Sequence, residues 1–191
     1  MKGVIQIGAH YAEEYEGYVS QGIKDFVFFE PIKANFKKLE KILDGKPENI
    51  LLYNLAIGNM DGMIKMYTET THQGKSCSIL KPHLHTKQYP DIIYDGIEMV
   101  RINKLDNIPY NRDLYDHLHM DLQGYELEAL KGAEESLKYI KTATIEVYRA
   151  ELFKDCPMIE DIVRYLMDRG FNLMEVFWRG NTWGDAKFTR L

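Results

Sequence analysis

The chain has 191 residues, 45% hydrophobic and 28% charged, with two cysteines and a net charge of -5. That length suits one domain able to bury roughly 70% of its unfolded surface without a disulfide staple. Cys77 and Cys156 form neither a CxxC pair nor a zinc-ligand spacing, so a reducing, cytoplasmic setting is expected. The acidic balance argues against a basic face gripping a nucleic-acid backbone, no apolar run reaches the ~18 residues of a membrane span, and the N-terminus lacks a secretion-signal pattern.

VIQI (4–7) is a short β-branched run closed by Gly8 and reads as a buried strand. The following AEEYEGYVSQG has a helical apolar rhythm through Tyr15, Tyr18 and Val19 and stops at Gly22. DFVFFEP (25–31) predicts a second buried strand, and ANFKKLEKILDG places Phe36, Leu39, Ile42 and Leu43 on one helical face before Gly45. ILLYNLAIG (50–58) reads as a third strand, after which an Asp61-Gly62 turn leads into an alternating strand. From Thr70 to Gly96 the pattern lapses into a polar, turn-rich stretch of the kind that is functional or disordered. IEMVRINKLD (97–106) resumes strand character, a strand follows near 117–122, and the next helix turns Leu127, Leu130, Ala133 and Leu137 inward. TATIEV (142–147) is another strand, a helix runs from about Met158 to Asp168, and FNLMEVFW and DAKFTRL around RGNTWG predict an antiparallel hairpin. Strands alternating with helices predict an α/β domain over 1–191, its mostly parallel sheet covered on both faces. With nothing before Val4 to cover the sheet, the chain reads equally as a minimal protein and as one domain of a larger polypeptide with neighbouring domains as partners.

Ligands of such sheets bind outside the carboxyl ends of the strands, and the first loop there carries Gly8. Ala9, His10 and Ala12 replace the further glycines of a dinucleotide loop, and Glu13 and Glu14 would repel a diphosphate, which disfavours NAD but tolerates a positively charged nucleoside. Glu30 ends the second strand about 20 residues later, where a carboxylate can accept hydrogen bonds from both ribose hydroxyls; a strand-capping Glu before Pro31 would look the same.

IGAHYAEE, FFEPIKANFKKLEK, NLAIGNMDG, KSCSILKP and MDLQGYELEALKGAEESL, in that order, resemble the FkbM family of S-adenosylmethionine-dependent methyltransferases. The resemblance implies the class I methyltransferase (Rossmann-like) fold, a seven-stranded sheet whose last strand is antiparallel. It also implies methylation of hydroxyl oxygens, often on sugars or glycans. Carried over, Gly8, Ala9 and His10 line the methionine side of the cofactor, Glu30 beside Pro31 holds the ribose, and Ala56 and Ile57 border the adenine. Asp121 stands where the family pattern is D, apolar, E, G, any residue, E; Gln123 replaces the first Glu and cannot act as a base, leaving Asp121 and Glu126 as the acidic pair.

A hydroxyl acceptor sheds a proton on methylation, which calls for a general base in reach. Asp121 and Glu146, near strand ends, are the first candidates, followed by His85 and His83 of the long loop. Acceptor contacts are expected from Ser76, His83 and Tyr89 of that loop, from Gln123 and Tyr125, and from Arg149 and Trp183, with Trp178 and Asp185 nearby. Two rival readings remain. His117, His119 and Asp121 alternate along one strand face and suit a metal-dependent hydrolase, although a divalent metal is not predicted; alternatively the domain is a non-catalytic nucleotide-binding scaffold.

Overall fold

The computed structural model describes residues 1–190. The first strand, β1 (Gly3–Ile7, GVIQI), is buried along its whole length because β2 (Asp25–Phe29) and β7 (His117–Met120) flank it in parallel and helices cover both faces. This explains its apolar run, interrupted only by Gln6. With β3 (Asn49–Tyr53), β8 (Thr142–Tyr148), β9 (Phe171–Arg179) and β10 (Trp183–Arg190), these strands form one sheet in the order β3-β2-β1-β7-β8-β10-β9. All pairings up to β8 are parallel. Strand β10 runs antiparallel to both β8 and β9, so the terminal hairpin inserts its second strand between the parallel sheet and its first.

On one face lie α1 (Tyr15–Ser20) and α2 (Lys33–Leu43), whose Tyr15, Leu39 and Leu43 pack with Val4, Phe26 and Phe28. The other face is covered by α4 (Glu126–Lys131), α5 (Glu134–Leu137) and α6 (Ile159–Met167), which bring Leu130, Ala133, Leu137, Ile162 and Leu166 onto Ile5, Val27, Leu118 and Ile145. This is the fold of the class I methyltransferases, a mostly parallel seven-stranded sheet with helices on both faces and an antiparallel terminal hairpin.

Three local expectations are corrected. Residues 50–58 are not one strand: Asn54 turns its side-chain amide back to the carbonyls of Glu30 (2.9 Å) and Pro31 (3.0 Å), breaking the run after Tyr53. Its continuation, β4 (Ala56–Ile57), joins a second sheet with β5 (Gly62–Glu69) and β6 (Tyr94–Asn103) in the order β4-β6-β5. The single helix expected around Leu127 to Leu137 is two short ones, broken where Gly132 lies against the Gly58 carbonyl; a Cβ there would sit 1.8 Å from that oxygen. Ile42 faces solvent, leaving Leu39 and Leu43 as the buried residues among those expected on α2.

The stretch after Glu69 has fixed structure. Its buried carboxylate accepts from the backbone N–H of His72 (2.6 Å) and Ser76 (3.3 Å), and Tyr67 and Ser78 exchange backbone hydrogen bonds. A four-residue helix, α3 (His85–Gln88), lies within the same stretch.

Candidate functional site

The carboxyl ends of β1, β2 and β7 open into a cavity of about 200 Å³. Its floor is set by a close approach: Gly8, at φ +80°, lies so near the Asp121 carbonyl that a Cβ would fall 1.9 Å from the oxygen. The Gly8 and Ala9 N–H groups both donate to the Phe29 carbonyl (3.0 and 2.9 Å), and His10 and Ala12 hold positive φ. The turn therefore bends sharply before α1.

Glu30 follows β2 into this turn. Its two oxygens accept from His10 N–H (3.0 Å) and Ile32 N–H (2.8 Å), and it is 4% exposed. Burial pushes its carboxyl up to about 7, against those two hydrogen bonds. At the rim, burial works against protonating His10, but hydrogen bonds to Glu13 (2.8 Å) and the Gln73 carbonyl (2.9 Å) hold its ring above the ordinary value. Glu13, bridged also by Lys75 (3.1 Å), drops to about 2 despite partial burial. The segment with Gly74, Lys75, Cys77 and Ile79 is thus tied across one side of the cavity. Small-sheet residues Ala56, Ile57 and Met66 supply an apolar wall.

Opposite, Asp121 is ringed by protein yet open to the cleft. The Gln123 side chain donates to it (2.7 Å) and to both oxygens of Glu146 (3.0 and 3.3 Å), joining the two carboxyls through a neutral amide. Tyr148 donates a short hydrogen bond to Glu146. Beneath them Glu126, fully buried, accepts from Leu122 N–H (2.8 Å) and Gly124 N–H (3.2 Å) with one oxygen while the other has no partner. Burial, reinforced by repulsion from Asp121, pushes Glu126 up to about 8 and Glu146 well up, while the packing around Asp121 raises its carboxyl against hydrogen bonds with Gln123 and Glu146.

The structure brings together every residue expected at a cofactor: Gly8, Ala9, His10, Glu30, Pro31, Ala56, Ile57 and Asp121 all line this cavity. Gln123 and Tyr125 line it too. The other acceptor and base candidates stand elsewhere. Glu146 is buried behind Gln123 and does not line the cavity. His85 is buried against Tyr94 and Phe153, and burial lowers its ring to about 4. Ser76 is buried, with its backbone carbonyl bonded by Tyr94, while His83 is exposed beside Glu151. Tyr89 accepts from the Trp183 indole (2.8 Å), and Arg149 stacks on Trp178. Neither pair lines the cavity.

Among the cavity residues that escaped the sequence reading as ligand contacts are Gln6, Glu14 and His119. Gln6, a polar residue inside an apolar strand, was the legible signal. It is 3% exposed, donates to Glu14 (2.7 Å), and its Oε1 is buried without a partner. The metal-site alternative fares poorly, because both ring nitrogens of His117 are engaged by Thr142 and Tyr18. Among the described residues no three His, Cys, Asp or Glu side chains form a metal-holding group.

The family model described as Methyltransferase FkbM domain matches residues 6–173. The chain belongs to the FkbM methyltransferase family. Solved structures share the fold of this FkbM domain at low identity. A candidate tRNA methyltransferase of Streptococcus pneumoniae superposes with a TM-score of 0.58 at 11% identity, covering 99% of this chain and 64% of that one. A ribosomal-protein methylase of Lactobacillus delbrueckii subsp. bulgaricus gives 0.56 at 10% (98% and 69% covered). Magnesium protoporphyrin IX methyltransferase of Synechocystis PCC 6803, solved with S-adenosylmethionine bound, gives 0.53 at 9% (98% and 69%). The FkbM chain thus spans about two thirds of the length of these structures. No curated protein sequence matches it. Among the described residues no helix is long and apolar enough to cross a membrane.

Proposed function

We propose that this domain transfers a methyl group from S-adenosylmethionine to a hydroxyl oxygen of a sugar or glycan. The observation that carries the reading is the convergence, in one cavity, of a glycine turn, a buried carboxylate and an apolar wall at the carboxyl ends of β1 and β2. The residues fit the cofactor: Glu30 retains lone pairs for the ribose diol, Ala56 and Ile57 form a slot for a flat ring, and the unpartnered Gln6 Oε1 is an acceptor beside Glu14 suited to an ammonium. Bound there, the sulfonium supplies an electrophilic methyl group. The chain's own task is to hold two substrates in line and to deal with the acceptor's proton, and positioning accounts for much of such catalysis.

In this reading Asp121 orients the acceptor, held by Gln123, and Glu146 acts through that amide as a positioning residue. The loop carrying Ser76, His83, His85 and Tyr89 and the hairpin carrying Arg149, Trp178 and Trp183 shape the outer acceptor surface rather than the cavity itself. The net charge of -5 supports an acceptor other than nucleic acid, and the two cysteines, both free, call for no oxidising compartment. The test is incubation with methyl-labelled S-adenosylmethionine and a panel of methyl glycosides, oligosaccharides and bulk tRNA, with the label located by mass spectrometry. Label on a sugar oxygen supports the reading; label on tRNA, or none bound or transferred, overturns it.

A further inference from the structure

His119 is half-buried on β7, lines the cavity, and lies two residues before Asp121, which follows directly on that strand and lines the same cavity. Its Nδ1 lies 3.1 Å from the Tyr18 hydroxyl, which lies 3.2 Å from His117 Nε2; His117 Nδ1 in turn lies 2.8 Å from Thr142 Oγ1. Four side chains from α1, β7 and β8 therefore form one hydrogen-bonded file ending at His119 Nε2, which has no protein partner among the described residues.

The file has only two orientations. The Tyr18 hydroxyl carries one proton, so it donates to one imidazole and accepts from the other. If it accepts from His119 Nδ1–H, then it donates to His117 Nε2, His117 donates from Nδ1 to Thr142, and His119 turns a bare Nε2 lone pair toward the cavity. In the reverse orientation Nε2 carries a proton and cannot act as a base. Burial lowers the His117 ring to about 4, so it stays neutral and serves as a fixed link. A His119 protonated on both nitrogens needs the first orientation, because Tyr18 must then accept. The first orientation accordingly receives a proton at Nε2 with no rearrangement behind it.

We propose that His119, its tautomer held by Tyr18, His117 and Thr142, is the base that takes the acceptor hydroxyl's proton. This rests on the methyl-transfer reading above. The step balances: the acceptor oxygen gains the methyl carbon, the carbon–sulfur electron pair returns to sulfur, and the hydroxyl proton goes to Nε2 and then to water. It assigns the proton to a group in the cavity, whereas Glu146 and His85 stand outside it.

Two measurements test it. Nitrogen-15 NMR of histidine-labelled protein saturated with S-adenosylhomocysteine should find His119 protonated at Nδ1 and bare at Nε2 at neutral pH, with the preference relaxed in Tyr18→Phe. A proton on Nε2 and a bare Nδ1 would overturn the assignment. In single-turnover methylation of the best methyl glycoside of the panel, His119→Gln should lose about 100-fold or more in rate, with affinity for the donor within about threefold of wild type. His119→Asn, which keeps a partner for Tyr18, should lose as much and guards against a folding defect. A rate within threefold of wild type, or a loss accounted for by weaker donor binding, refutes the proposal. Absence of any transfer by the wild type sinks the methyl-transfer reading instead, and the tautomer measurement still stands.

Discussion

Glu30→Gln should change how stability varies with pH. In the folded protein the Glu30 carboxyl is pushed up to about 7 by burial, against an ordinary value of 4.5. Between those values the native state holds a proton that the unfolded chain has released, so stability is fully present below pH 4.5 and falls as pH rises through 7. Each tenfold difference in proton affinity is worth about 1.4 kcal/mol, which makes the loss about 3 kcal/mol by pH 8. A glutamine does not titrate. It does leave either the His10 or the Ile32 N–H without its acceptor, a constant offset of about 1–3 kcal/mol against the variant. The informative quantity is therefore the change in the difference: urea unfolding of both proteins at pH 4 and pH 8 should show the variant gaining about 3 kcal/mol relative to wild type. A difference flat to within about 1 kcal/mol would refute the view that Glu30 is strained by desolvation and poised for a polar ligand.

Gly8→Ala forces a left-handed backbone on an L residue and drives a Cβ into the Asp121 carbonyl, so it should cost about 3 kcal/mol and lower the melting temperature by about 6–12 °C in calorimetry. A loss under 1 kcal/mol would mean that the two strand ends are not in contact. Saturation with S-adenosylhomocysteine at about 100 times its Kd should raise stability by about 2.7 kcal/mol, and no thermal shift at millimolar ligand would contradict the cavity assignment. Gln123→Glu places a further carboxyl against Asp121 and Glu146, whose own carboxyls are raised; it should be destabilised by about 1–3 kcal/mol at pH 8 and recover as pH falls, and a pH-independent loss would point to packing instead.

How much of this was legible in advance depended on whether the deciding contact was local. The buried strands β1 and β2 announce themselves as apolar runs, and Gly8 and Glu30 are separated by one strand–helix–strand passage, so the topology brings them together wherever the sheet forms. The split after Tyr53 was hidden, because an apolar run carries no sign of which sheet it enters, and the Asn54 amide that redirects it is one polar residue among many. The alternation of His117 and His119 correctly puts them on one face. Their partner, Tyr18, lies about a hundred residues away and is visible only once α1 packs against β7. Tyr89 and Trp183, chosen as sugar contacts for their chemistry, satisfy each other across 94 residues.

The interleaving of β10 between β8 and β9 has a consequence for synthesis. As the polypeptide emerges, β9 has no edge to join until the segment after it has been made, because β8 pairs with β7 on one side and with β10, not β9, on the other. During that interval Phe171, Leu173, Phe177 and their neighbours form a nascent ribbon with unpaired amides, a state prone to mispairing. The turn at Gly180 joins β9 directly to β10, so the wait ends once β10 has been made.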